Sequence, residues 1–494
     1  MEKQIKIGWS EVSITPDRKI SLRGQFYERV SQYVETPITV TAMAVDSGDE
    51  QMVICSCDLT SIGEILMDRV REQVAGKIDL DPMKIMIHAT HTHNSHTFTL
   101  HRNGAIDSKS IDFEKLIPDR IKYIPLETSK DVMTPEESLE FLTQRISQAV
   151  IEAWNGRKNA MYACGFGRVA VGMCRRVCYD DGTAKMWGDA NSANFTHLEG
   201  GNDNGMELMF TYDDKKNLTG IVANIACPSQ VLEQRSFISS DYWGKVKINL
   251  RKKYGEGLFV LGLCSPAGDQ CPRDLVRWVE PETPIADPNV IRENPIDHRA
   301  DGSMFDIQGT VRIGRRIATE IEAALEEVDQ YFTCVPFAHE VKMLNLPLRR
   351  VTMKERDEAE KAIAEFIRNA GDTINYMDTA LMHVHTGTLN RFEAQKTQNV
   401  YSIEAHFIRL GDIAFATNPF ELFLDYGNQI RARCLAKQSF LIQMCCGASG
   451  YLPTESAEKN GHYSAYVSSG YVGHIGGEQY VRETLETLNG FFAE

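Results

Sequence analysis

The chain has 494 residues, 43% hydrophobic and 24% charged, enough for a large buried core and more than one minimal domain requires. Its formal net charge of −15, with no Lys/Arg-rich tract, excludes a nucleic-acid binder held by basic phosphate contacts. No apolar run approaches the length of a membrane span, and the opening Met1 to Gly8 has no apolar signal core, so a cytoplasmic protein away from the membrane is expected.

Strands are predicted at 38–46 and 51–57, flanking the turn Ser47-Gly48-Asp49-Glu50. A helix over 60–77 and a strand over 83–88 follow. Residues 135–156 predict a helix, since Leu139, Leu142, Ile146, Val150 and Ala153 share one face behind Pro135. A β-rich stretch then places the turn Asp180-Asp181-Gly182 between 169–179 and 183–187. Further strands are predicted at 206–212, 219–227 and 258–264, a helix at 309–328, strands around 333–348, and a helix at 353–370. The last third predicts strands 402–409 and 412–417, a helix 421–436, a strand 439–445 and a helix 477–492. Strands alternating with helices predict an α/β fold with a mixed sheet. It spans 1–494 as one large catalytic domain, or divides into lobes at 1–335 and 336–494. The polar segment 274–308, with four prolines, reads as a long loop and a candidate lid. The 12 cysteines are scattered, many in apolar strands, and read as buried free thiols.

Four of the 13 histidines fall in the run His88-Ala89-Thr90-His91-Thr92-His93-Asn94-Ser95-His96, at the end of an apolar strand. In an extended chain His91 and His93 point the same way, and neutral imidazole is the commonest protein ligand for zinc. His383 and His385 form a competing pair in a polar region. Four more segments end an apolar strand in a small or turn residue plus a polar group: Asn224 to Gln230, Cys264 to Pro272, Thr417 to Glu421, and Gly450 to Thr454. Asp58, at a strand end, is a candidate to orient an imidazole. Glu421 also fits a carboxylate in the first turn of a helix, and Asp269 an Asx-turn or N-cap.

These motifs resemble the neutral/alkaline (non-lysosomal) ceramidase superfamily, zinc-dependent amidases that hydrolyse N-acyl bonds. The resemblance rests on Gly8 through Ile14-Thr15-Pro16, Ala89-Thr90-His91-Thr92-His93, Ala267-Gly268-Asp269 with Pro272, Asn418-Pro419-Phe420-Glu421, and Gly450-Tyr451-Leu452-Pro453-Thr454. It implies the ceramidase-like catalytic fold and a bound Zn2+ or another divalent ion. It implies that His91 binds the zinc, with Glu421 and Tyr451 as carboxylate and phenol ligands. It places His93 beside the metal water, Tyr463 on a carbonyl oxygen, Arg175 on the substrate, and Ser265 where a nucleophile was once proposed.

The chain departs from the pattern where the family supplies a second zinc histidine. Here Cys227-Pro228-Ser229-Gln230 stands instead. Cys227 can ligate as a thiolate, Pro228 cannot, and Gln230 is a poor zinc ligand. Three outcomes stay open: a His/Cys/Glu/Tyr site, a three-ligand site completed by another residue, or a metal-free descendant. Since the sequence ends soon after its last helix, no C-terminal immunoglobulin-like domain of the ceramidase kind is expected. A small soluble metabolite therefore fits better than a membrane sphingolipid. Trp187, Trp243 and Trp278 are candidates to stack on a sugar. The expected function is metal-dependent hydrolysis of a C–N amide bond in a small N-acylated compound, with His93 as acid. The alternatives are a non-hydrolytic enzyme on a sugar or polyol, with His93 or Asp269 as base, and a metal-free binding protein. The partner is a small molecule, and a homo-oligomer is compatible with the composition.

Overall fold

The computed structural model describes residues 3–98, 113–125, 129–277 and 306–493. Trp278 and most of the candidate lid lie outside them. An eight-stranded sheet carries most of the first two thirds of the chain. Its strands are β1 (Lys6–Ser13), β2 (Thr39–Asp46), β3 (Gln51–Cys57), β4 (Ile85–Ala89), β5 (Lys158–Arg168), β6 (Gly205–Asp213), β7 (Leu218–Ile225) and β8 (Phe259–Cys264). They lie in the order β8-β7-β6-β5-β1-β2-β3-β4. The β7/β8 and β3/β4 pairs are parallel and the rest antiparallel. A second sheet orders β9 (Phe337–Pro347), β10 (Val400–Leu410), β11 (Ile413–Thr417) and, beyond the short strand β12 (Glu421–Leu422), β13 (Gln438–Ile442). Strand β12 pairs instead with β14 (Tyr451–Leu452). The mixed-sheet α/β class expected from the sequence is the one observed.

The central strands are buried on both faces, which is why β2, β3 and β4 are near-continuous apolar runs rather than alternating ones. Helices α1 (Glu64–Val74) and α2 (Pro135–Asn155) cover one face. Helix α2 opens on a capping box, with the Thr134 hydroxyl accepting from Glu137 N and Glu137 Oε2 accepting from Thr134 N. Helices α3 (Asp241–Tyr254) and α4 (Asp306–Glu326) pack on each other and bury Trp243, Val246, Ile313 and Ile317 against β6 to β8. Helices α5 (Met353–Asn369) and α6 (Tyr376–Ala394) form a pair, followed by α7 (Leu424–Arg433), α8 (Glu455–Asn460) and α9 (His474–Gly490). No helix among the described residues is long and apolar enough to cross a membrane.

Two sequence expectations shift. The helix expected over 421–436 is preceded by strand β12 and begins at Leu424, because Asp269 Oδ1 accepts from Leu424 N and turns the chain there. The 60–77 helix starts only at Glu64. Helices α3 and α6, like the short helix α8 and strands β1 and β5, carry no expectation from the sequence. Helix α3 hides its apolar face in a Lys/Arg-rich sequence, and α6 mixes Gly, Thr and His with no clear period.

The carboxyl ends of β4, β8, β11 and β13 meet at a buried polar knot. His88 Nδ1 donates to Gln443 O (2.9 Å), and His88 Nε2 accepts from Cys264 N (3.0 Å). Gln443 Oε1 accepts from both Ala267 N (3.1 Å) and Leu422 N (2.9 Å). Burial pushes the His88 pKa down to about 3, so the imidazole is neutral in the fold. The unfolded chain takes up this proton first. The contribution of His88 is therefore complete above about pH 6.5 and lost as pH falls from there toward about 3. The wild-type advantage over His88→Gln in urea unfolding is expected to shrink between about pH 7 and about pH 5; an advantage constant across that window would show that His88 is not buried neutral.

Candidate functional site

The knot delivers the site. Strand β4 ends at Ala89, and His91 sits in the left-handed region at φ 68°. The alternation expected of an extended chain therefore stops before His91. The two imidazoles nevertheless meet, ring centroids 4.7 Å apart and edge to face. His91 Nδ1 donates to Thr60 O at 2.6 Å, which fixes the tautomer and turns the Nε2 lone pair inward. That lone pair lies 3.2 Å from His93 Nε2 and 3.5 Å from Glu421 Oε2. Asp58, the residue expected to orient an imidazole, accepts from Thr39 N and the Thr39 hydroxyl instead; the Thr60 carbonyl takes that role. His93 Nδ1 faces Glu233 Oε2 at 3.5 Å.

Glu421 and Tyr451 are paired in register across the parallel strands β12 and β14, so both side chains leave the same face of the pair. Arg175 Nη2 donates to the Tyr451 hydroxyl (3.2 Å) and to Gly268 O (3.1 Å). The Tyr463 ring stands edge-on to Tyr451 at 5.4 Å. Outward of these groups lies a cavity of about 350 Å³ walled by His93, Arg175, Trp187, Glu233, Tyr451 and Tyr463, with Phe26, Leu381 and Val384 toward the outside.

Burial, reinforced for His93 by His91 and by Arg29, Arg175 and Arg23, pulls the His93 pKa far down. Burial also pulls His91 down, and the Glu421 carboxylate opposes it only in part. Both imidazoles are neutral near pH 7. Burial, followed by the neighbouring Glu421, holds the Tyr451 phenol well above its usual value.

The other expected residues lie elsewhere. Asp269 caps Leu424 N with its carboxylate and receives Arg175 N on its carbonyl, so it builds the site from behind. Burial raises its pKa to about 6. The Ser265 hydroxyl is bound by Arg431, on α7. Cys227 packs beside Tyr242, near Cys271 and Cys264, with its thiol directed at Pro228 O. Burial first, then these thiols, holds its pKa well above the usual range. In the same loop, Ser229 N donates to Thr90 O, beside His91, and neither amide atom of the buried Gln230 has a hydrogen-bond partner. His383 and His385 lie on α6, two residues apart, and therefore diverge. His383 stacks on Phe26 at 4.1 Å in the cavity wall, whereas His385 lines another cavity with Glu355 and Glu458. Trp187 is in the cavity wall, and Trp243 is sealed in the core against Gly262.

Among the described residues, a tight His/Cys/acid cluster lies away from this cavity: Glu404, His406 and Cys446, with ligand atoms within 4.8 Å of one another. Both Glu404 oxygens accept from Arg71 (2.8 and 2.6 Å), and Oε1 also meets His406 Nε2 at 2.8 Å. Against burial, Cys446 and Glu404 hold the His406 pKa up, while Cys445 and His406 hold the Cys446 thiol down at about 6. The cluster balances its own charge. Its sequence signal is Glu404 and His406, two apart and so on one face of a strand.

Two glycines set the geometry. A Cβ on Gly24, whose φ is +115°, would stand 2.3 Å from His93 Cγ. A Cβ on Gly268 would stand 2.3 Å from Glu421 O. Gly24→Ala and Gly268→Ala are each expected to lower stability by roughly 1–3 kcal/mol and to displace His93 and Glu421 respectively. Thermal unfolding and structures of the variants check this; unshifted side chains would refute it.

No family model and no curated protein matches the sequence. Among solved structures, the neutral ceramidase from Pseudomonas aeruginosa superposes with a TM-score of 0.66 at 13% identity, covering 98% of this chain and 74% of that one. A structure described as ceramidase complexed with C2 matches with the same values. The chain thus has the fold of neutral ceramidase over nearly all of its length.

Proposed function

We propose that this protein is a metal-dependent hydrolase of a C–N amide bond in a small N-acylated metabolite, with Zn2+ as the ion. One observation carries the reading. His91 Nε2, the lone-pair nitrogen of a buried neutral imidazole, faces the Glu421 carboxylate at 3.5 Å and meets His93 Nε2 at 3.2 Å. A cation satisfies such a group, and the Nδ1–H anchor of His91 on Thr60 O is the outer support a metal-binding imidazole needs. The likeness in fold to ceramidases supports amide hydrolysis within this reading.

His91, Glu421 and Tyr451 would hold the ion. Such an ion polarises a carbonyl and lowers the pKa of water to about 7. From the Cys227–Gln230 loop, the unpartnered Gln230 amide is the better candidate to complete the site, because the Cys227 thiol is already turned to Pro228 O. Arg175 donates to the Tyr451 hydroxyl, and Tyr451 is hydrogen-bonded to Tyr463, so the two phenols and the guanidinium form one polar unit in the cavity wall, placed to hold a substrate oxygen. His93 is neutral and faces Glu233, so it would first take a proton from the attacking water and then pass it to the leaving amine. The sugar or polyol alternative loses one of its two bases, because Asp269 is engaged behind the wall.

Metal analysis of the purified protein should find a divalent ion, lost in His91→Ala and in Glu421→Gln together with about 100-fold or more of amide hydrolysis. Gln230→His should tighten metal binding and Cys227→Ser leave it unchanged. Metal retained in His91→Ala would overturn the ligand set. Bound metal without release of amine from N-acyl amino acids or amino sugars would favour the non-hydrolytic reading, and a metal-free protein would favour the binding one.

A further inference from the structure

The carboxylates around the cavity are engaged. Glu233 faces Arg273 at 3.6 Å and His93 at 3.5 Å. Glu421 faces His91. Asp378 accepts from Asn375 N in the capping box of α6. The guanidinium groups are not matched in the same way. Arg175 is buried, and among the described residues no carboxylate lies within ion-pair distance of it. Two of its contacts are to neutral oxygens, and its Nε has no partner. Arg23 is half-buried and has neither a side-chain hydrogen bond nor a carboxylate partner among the described residues.

Arg23 is held against the histidine pair by its backbone. Its N donates to Ser95 O (3.1 Å), its carbonyl shares the Arg29 guanidinium with His93 O, and the next residue, Gly24, packs on the His93 ring. Its charge bears on both imidazoles. Trp187 adds a flat wall near Arg175, at 5.7 Å from its ring, and near a third guanidinium group, Arg273, at 4.9 Å. An ion at His91 and Glu421 would make the surroundings more positive still. The Glu421 charge bears on Arg175 from beyond hydrogen-bond reach, and the buried guanidinium keeps an unpartnered Nε that an anion arriving with the ligand would satisfy. The planar fork of arginine matches a carboxylate.

We propose that Arg23, with Arg175, forms an anion subsite beside the histidine pair, and that the substrate of the proposed hydrolase carries a carboxylate, as an N-acyl amino acid does. The apolar side of the cavity, Phe26, Leu381 and Val384, would then face the hydrocarbon part of the ligand. This rests on the amidase reading for the word substrate, but the subsite itself is tested by binding alone.

The test uses the full chain, with and without chelator, and calorimetric titration of N-acetyl-phenylalanine against its uncharged amide, N-acetyl-phenylalaninamide. The acid is expected to bind about tenfold or more tightly than the amide, with a preference that falls as salt rises. Arg23→Gln should abolish the preference and Arg23→Lys restore part of it, with circular dichroism showing both variants folded. Equal binding of acid and amide, no binding of the acid at millimolar concentration, a preference that survives Arg23→Gln, or tighter binding of inorganic phosphate than of the acid would each overturn the proposal. A carboxylate preference without hydrolysis would sink the amidase reading and leave the subsite standing. Hydrolysis of both compounds with no preference would do the reverse.

Discussion

Gln443 and His88 tie together the chain ends on which the site depends. One side-chain oxygen of Gln443 receives two backbone N–H groups, from the segment before Gly268 and from the strand that carries Glu421. Its own backbone carbonyl receives His88, three residues before His91. No solvent reaches these groups, since Gln443 is 1% exposed and His88 0%. Each hydrogen bond is therefore compulsory: removing one partner leaves a buried polar group unmet, at about 1–3 kcal/mol. The register between distant parts of the sequence is set by chemistry that tolerates no slip. The cavity residues inherit their positions from that register rather than from contacts with one another.

The site built on this knot has an unusual electrostatic character. Its imidazoles are neutral because they are buried among guanidinium groups, and its carboxylates are divided between histidines and arginines. The Glu404, His406 and Cys446 cluster shows the opposite solution. There Arg71 and the imidazole answer the acid and the thiol, and the charges close on themselves. One cluster is complete as it stands. The other presents lone pairs and guanidinium donors toward a cavity.

Much of this was legible in the sequence, for identifiable reasons. Strands β2, β3 and β4 and helix α2 announce themselves through apolar runs and period. The grouping of His91, His93, Glu421 and Tyr451 is what the family resemblance implies; no period or composition links residues so far apart in the chain. Hydrogen-bond partners were not legible. Thr60 rather than Asp58 orients His91, since a backbone carbonyl leaves no trace in residue identity. The pairing of Glu421 with Tyr451 as two short strands is invisible in the sequence, where Glu421 fits a helix start, because two residues are too few to show a period. Arg23 gave no signal at all. Its meaning is the lack of a partner, which only three dimensions reveal.

Trp187, at φ 58°, has the Arg175 and Arg273 guanidinium groups 5.7 and 4.9 Å from its ring. Of the tryptophans among the described residues, it is the one in the cavity wall, while Trp243 and Trp154 are sealed in the interior. The nearby positive charges, and whatever displaces water from its face, would shift its indole emission. The protein thus carries its own optical gauge of occupancy, readable without label or turnover.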